Sequence, residues 1–326
     1  MPFNLRGRHF LRLLDFTSDE FLYLLDLSAK LKADKRAGLR GKALAGKNVA
    51  LVFEKPSTRT RCAFTVAAYD EGAHAEYLGK DDIQLGKKES VKDTARVLGR
   101  MFDGIQFRGY SHSTVEELAR WAGVPVWNGL TDRFHPTQVL ADLQSVQEEF
   151  GRDLRGVSLT YVGDGRNNVA NCLMEGAALM GMDFRNATPA ALLPDKKLVA
   201  ECKEVAAKTG GKITITKDLK TAVKRSQVIY TDVWASMGEE AKIPERIKLL
   251  KAYRVTSKMM AMTGRTDTIF LHCLPCFHDE ETELARKFPE IREATDDVFE
   301  GTQSRVFDQA ENRVHTIKAM MIATMG

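Results

Sequence analysis

Apolar residues recur along this chain with two periods, and the two take turns. Thr17-Ser-Asp-Glu20 has the spacing of a capping box, and Phe21, Leu24, Leu25, Ser28 and Leu31 follow on one helical face. From Asn48 onward, runs at 48–53, 74–78, 104–108 and 124–128 read as strands. Each is followed by a helical pattern, and Ser113-Thr-Val-Glu116 offers a second capping box. A helix spans 136–150, and Gly151 to Gly156 form a polar break. The alternation then restarts with strand-like runs at 157–163, 182–187, 211–216, 227–232 and 268–272, and a helical pattern from Ala310 to Thr324 ends it. Regular alternation of this kind implies parallel sheets covered by helices on both faces. The expected fold class is therefore α/β, with two doubly wound parallel-sheet domains, 1–150 and 151–305, and an interdomain cleft. Ligands in such folds sit at the carboxyl ends of the strands.

Composition narrows the function classes. The chain has 326 residues, with 48 Lys and Arg against 44 Asp and Glu, a formal net charge of +4. That excess is mild and is not gathered into a basic arm, so nucleic-acid binding is set aside. The densest basic run, Lys30 to Arg36, reads as the solvated end of a helix. No apolar run is long enough to span a bilayer. The N-terminus lacks a signal-peptide core, and the early Asp15, Asp19 and Glu20 argue against a transit peptide. Five scattered cysteines, an odd number, suggest reduced thiols and a cytoplasmic enzyme.

The candidate chemistry centres on Phe53-Glu-Lys-Pro-Ser-Thr-Arg-Thr-Arg61. A strand-like run stops at Pro56, which fixes its own φ and pushes Lys55 out of the α region. Ser57 and Thr58 are placed to cap the helix that follows. Arg59 and Arg61 sit in its first turn, where cations oppose the helix dipole unless an anion lies between them. Free N–H groups, hydroxyls and forked guanidiniums together describe a phosphate cradle. A solvated basic turn is the alternative. Two further segments favour the cradle, His135-Pro-Thr-Gln138 at a helix start and His272-Cys-Leu-Pro275 at the end of an apolar run. Gly163-x-Gly165 hints at a dinucleotide loop, but Asn168 stands where a third glycine is needed. Zinc at His272, Cys273, Cys276 and His278 is likewise set aside, because no second paired-ligand motif completes a site.

With these segments in hand, the chain resembles the aspartate/ornithine carbamoyltransferase family along essentially its whole length. Ser57-Thr-Arg-Thr-Arg61 and His135-Pro-x-Gln138 match the family's hallmarks. Asp232-Val-Trp-Ala-Ser-Met-Gly238 and His272-Cys-Leu-Pro275 match its ornithine branch. The resemblance implies transfer of the carbamoyl group of carbamoyl phosphate to the δ-amine of L-ornithine, giving L-citrulline and phosphate, with no cofactor and no metal. It implies that Ser57, Thr58, Arg59 and Thr60 hold the phosphate with Arg108. Arg59, Thr60, Arg108 and His135 would converge on the carbonyl, and Gln138 would take the carbamoyl NH₂. Cys273, Leu274 and Arg313 complete that group. His135 is preferred as a hydrogen-bond donor over a general base.

For the second substrate the resemblance implies Asn168, Asp232, Ser236 and Met237. Cys273 would contact the δ-amine without forming a covalent intermediate. A carboxylate and a soft thiol suit a cationic diamine better than a dicarboxylate. The Leu274–Pro275 bond is expected cis, and Cys276 departs from the family's usual alanine. The C-terminal helix, about 306–326, is expected to pack back on the first domain. Gln84 would reach a neighbouring subunit's site, making a homotrimer, or a multiple of trimers, the working unit. Two rivals remain: a carbamoyltransferase for putrescine or a modified ornithine, and a non-catalytic ligand-binding regulator.

Overall fold

A computed structural model describes residues 3–235 and 239–326. Ser236, Met237 and Gly238 lie outside the described residues. The chain divides into two compact units, one formed by Met1–Gln144 with Ala310–Gly326 and the other by Ser145–Gln309.

The first unit is built on a parallel sheet of β1 (Asn48–Phe53), β2 (His74–Gly79), β3 (Gly104–Arg108) and β4 (Val126–Leu130), in the order β2-β1-β3-β4. The Thr17 capping box is present, opening the helix Ser18–Arg36. Three expectations shift. β4 starts two residues late, because Gly123 ends the preceding helix in the left-handed conformation and Pro125 has no N–H to give a ladder. The Ser113 capping box is not used. The helix starts at His112, whose N–H donates to Asp132 Oδ1 and whose ring meets Thr131 Oγ1 at 3.0 Å. Those tertiary bonds begin the helix before the Ser113 signal. Nor is the Lys30–Arg36 run wholly solvated, since Lys32 is buried and donates to Asn312 Oδ1 at 2.7 Å.

The C-terminal helix Val306–Met325 supplies much of this unit's support, as expected. Its Thr324 hydroxyl accepts from Trp127 Nε1, and Lys318 pairs with Asp70. Buried Arg313 reaches the residues after β1 and around Gln138.

The second unit carries a five-stranded parallel sheet: β5 (Ser158–Val162), β6 (Asp183–Ala187), β7 (Lys212–Thr216), β8 (Val228–Thr231) and β9 (Ile269–His272). Its order is β7-β6-β5-β8-β9. Nearly every β5, β8 and β9 side chain is buried, as sheets covered on both faces require. Among the described residues no helix is long and apolar enough to cross a membrane.

Each sheet has one place where the strand order reverses, between β1 and β3 in the first and between β5 and β8 in the second. Connections leave these strand pairs in opposite directions, so a crevice opens at their carboxyl ends. That topology selects two stretches of backbone for ligand contact in the first unit, those after Phe53 and Arg108. In the second it selects those after Val162 and Thr231.

Candidate active site

At the first switch point, Phe53 and Arg108 pair in register and their connections diverge. The helix Thr58–Asp70 starts there. Ser57 caps it, its Oγ accepting from Thr60 N–H at 3.2 Å, and no acidic residue occupies its first turn. No acid of its own thus answers the helix dipole, which suits an anion from elsewhere. Thr60 is fully buried, and its hydroxyl accepts from two guanidiniums, Arg108 Nη1 at 3.3 Å and Arg313 Nη2 at 3.2 Å. Arg313 Nη1 also donates to Gln138 Oε1 at 2.7 Å, and Gln138 Nε2 donates to Asp142 Oδ1 at 2.8 Å. Asp142 thereby fixes which way the Gln138 amide faces. One acceptor position on Gln138 Oε1 remains beyond the Arg313 bond.

His135 precedes Pro136 at the start of the helix Pro136–Phe150 and is buried. Burial first, and then the charges of Arg313, Arg108 and Arg59, hold its pKa well below the ordinary 6.5. Both effects favour the neutral imidazole. Arg61 behaves differently from its neighbours. It is exposed, and its guanidinium lies 3.9 Å from the centre of the Tyr77 ring, so it leaves the expected arginine cluster. Gln84 also stands apart, exposed on a loop where its carbonyl accepts from Lys87, Lys88 and Glu89 N–H groups.

Gly109 packs this corner tightly. A Cβ there would lie 2.2 Å from Glu54 Oε2 and 2.2 Å from Phe107 Cζ. Gly109→Ala is expected to push the Phe107 ring and the adjoining Arg108 out of place. The cost is about 1–3 kcal/mol, typical of overpacking. A thermal melt and a phosphate-binding titration of the variant check this together; wild-type values for both would contradict it.

The second switch point gathers a different set. Asp232, directly after β8, is buried. Its Oδ1 accepts from the Cys273 thiol at 2.9 Å and from Val233 N–H at 2.8 Å, and its Oδ2 accepts from Asn167 Nδ2 at 2.9 Å. Asn167 also caps the helix Asn168–Leu179 by accepting from Val169 N–H at 2.7 Å. Asn168 is the first residue of that helix, half-buried beside it. Tyr161 lies fully buried on β5, and burial with the nearby Asp232, Asp164 and Cys273 raises its phenol well above its ordinary range. Asp164 pairs with buried Arg246 at 2.8 Å.

The Leu274–Pro275 bond is cis, as expected, and Leu274 has φ +59°. Leu274 N–H donates to His272 Nδ1 at 2.8 Å, which leaves the ring proton on Nε2, facing Glu293 Oε1 at 3.1 Å. Both nitrogens of His272 are therefore engaged. His278 lies in a separate group with Asp296 and Glu300. The four residues weighed for zinc do not converge on one point.

Asn167, Asp142 and Glu293 escape sequence reasoning. Asn167 carried a signal, as an N-cap residue before a helical run. Asp142 stands at i+4 from Gln138. Nothing local marks Glu293.

Comparison with known proteins agrees with this geometry. Residues 8–148 match the carbamoyl-P binding domain of aspartate/ornithine carbamoyltransferase, and residues 155–324 match its Asp/Orn binding domain. The chain is 58% identical to a catabolic ornithine carbamoyltransferase of Bacillus licheniformis, over 99% of this chain and 98% of that protein. A catabolic ornithine carbamoyltransferase of Bacillus cereus is 59% identical, over 99% and 97%. Among solved structures, ornithine carbamoyltransferase from Pyrococcus furiosus superposes with a TM-score of 0.92 at 42% identity, covering 99% of both chains. That from Gloeobacter violaceus gives 0.84 at 39%, covering 98% of this chain and all of the other. The chain belongs to the aspartate/ornithine carbamoyltransferase family.

Proposed function

We propose that the protein is an ornithine carbamoyltransferase, moving the carbamoyl group of carbamoyl phosphate to the δ-amine of L-ornithine. The observation that carries this reading is the chemistry of the two switch points. One offers a buried cationic group with a capped helix N-terminus, and the other offers a buried carboxylate with a thiol. The first suits a dianionic phosphate and the second a cationic amino acid.

In this mechanism Ser57, Thr58, Arg59, Thr60 and Arg108 bind the phosphate. Arg59, Arg108 and neutral His135 donate toward the carbonyl oxygen as it becomes an oxyanion. Gln138 accepts from the carbamoyl NH₂ with the acceptor position left beside Arg313. Cys273, Leu274 and Arg313 line the same group. Asp232 takes the substrate ammonium, with Asn168, Ser236 and Met237 at the amino-acid end. The Cys273 thiol, whose proton points to Asp232, orients the amine without attacking the carbonyl. Burial and the neighbouring arginines keep His135 a poor proton acceptor, so the amine proton leaves with the phosphate. The C–N bond forms first, giving the oxyanion, and the C–O bond to phosphate breaks as the oxyanion collapses.

The ammonium pocket and the residues for an amino-acid head favour ornithine over putrescine. Retention of the cationic group and Cys273 weighs against a non-catalytic regulator. We further propose a cytoplasmic homotrimer or multiple of trimers, with Gln84 completing a neighbour's site. We also propose the catabolic direction borne by the names of the Bacillus relatives. Initial rates test this. Ornithine should be carbamoylated far faster than putrescine, and the response to carbamoyl phosphate should be sigmoidal; a hyperbolic curve would point to biosynthesis. Rates should rise with pH through the neutral range, because the δ-amine, with a free pKa near ~10, reacts only when neutral. A falling limb there would place the proton chemistry elsewhere.

A further inference from the structure

Glu293 is fully buried, and among the described residues no lysine or arginine pairs with it. A carboxylate in that position is costly unless its hydrogen bonds are good and its place is needed. Its Oε1 accepts from His272 Nε2 at 3.1 Å and from Phe277 N–H at 2.9 Å, and the Cys276 thiol lies within 4.8 Å of the same carboxylate. The two 3 Å bonds grip the chain on either side of residues 273–276. Inside that span, Leu274 sits at φ +59°, a conformation a leucine adopts only under constraint. Its N–H is held by His272 Nδ1 at 2.8 Å. That bond needs a bare Nδ1, and a bare Nδ1 needs the proton on Nε2, where Glu293 accepts it. His272 is tied from behind as well, its N–H donating to Gln309 Oε1, whose amide donates to the Tyr230 hydroxyl at 3.0 Å.

We propose that Glu293 is a positioning residue that holds His272 as its Nε2–H tautomer and so fixes the segment that presents Cys273 and Leu274 to the substrates. The role of that segment rests on the function proposed above. Glu293 itself touches no reacting atom. Its effect passes through His272 to Leu274 on one side and through Phe277 on the other.

The test compares Glu293→Ala and Glu293→Gln with the wild type. It combines steady-state citrulline kinetics with ¹⁵N spectra of the histidine rings, His272 being assigned through His272→Gln. Glu293→Ala should lose about 10²-fold in kcat/KM for ornithine, the scale expected when a reacting group drifts by about 1 Å. Its His272 ring should populate both tautomers. In Glu293→Gln the amide oxygen can accept the same two bonds, so the Nε2–H tautomer should persist and activity should stay within about tenfold. Wild-type kcat and KM in folded Glu293→Ala would overturn the proposal, as would a glutamine variant as impaired as the alanine one. If Glu293→Ala does not fold, the glutamine variant's spectrum decides, and loss of its Nε2–H tautomer would overturn the proposal. If the wild type itself forms no citrulline, the proposed function fails while the tautomer measurement still judges Glu293.

Discussion

Arg59→Ala is expected to lower kcat/KM for carbamoyl phosphate by about 10³-fold or more, the scale seen when a preorganised donor to a developing oxyanion is removed. Arg59 lies in the first turn of the helix Thr58–Asp70, where no acidic side chain answers the helix dipole. It is close enough to His135 to help depress that imidazole. A cation in a helix's first turn costs stability, and alanine is the better helix former. The variant should therefore melt at or slightly above the wild-type temperature while losing activity. Stability and catalysis moving in opposite directions is the signature of a residue kept for its ligand. Kinetics and a thermal melt on one preparation check both halves. Near-normal kinetics would remove Arg59 from the phosphate site.

Asp232→Asn should raise the KM for ornithine by about 10²-fold or more while leaving that for carbamoyl phosphate within a few-fold, since losing one partner of a desolvated charge pair costs about 2–5 kcal/mol. The geometry sharpens the expectation. Asp232 accepts from Cys273, Val233 and Asn167. An asparagine amide must turn one NH₂ toward a group that is itself a donor, so the variant loses a hydrogen bond as well as the charge. Measuring both Michaelis constants distinguishes this from general damage. Equal rises for the two substrates would mean that Asp232 supports the fold and does not receive the ammonium.

The strands were legible because their period and burial agree. β1, β3 and β6 fall within a residue of the positions expected from apolar runs, and local signals such as the Thr17 box appear as read. Misreadings arise where a distant partner overrules a local signal. His112 begins its helix on bonds to Thr131 and Asp132, and Lys32 is drawn inward by Asn312, 280 residues away in the chain. In the site, residues in contiguous motifs were legible through their chemistry and their resemblance to the family. Their connections were not. Thr60 as the shared acceptor of Arg108 and Arg313, Asn167 as the support of Asp232, and Glu293 behind His272 all depend on contacts between distant segments. Arg61 shows the converse. Its place in the motif suggested an anion ligand, but the ring of Tyr77 on β2 claims it.

In the proposed function, the cationic group and the carboxylate–thiol pair serve a single transfer. Incubating the purified protein with carbamoyl phosphate and L-ornithine, and quantifying citrulline and phosphate together, tests it most directly. One citrulline should appear for each phosphate released, with release depending on ornithine. Phosphate appearing without citrulline, or no turnover with both substrates saturating, would contradict it.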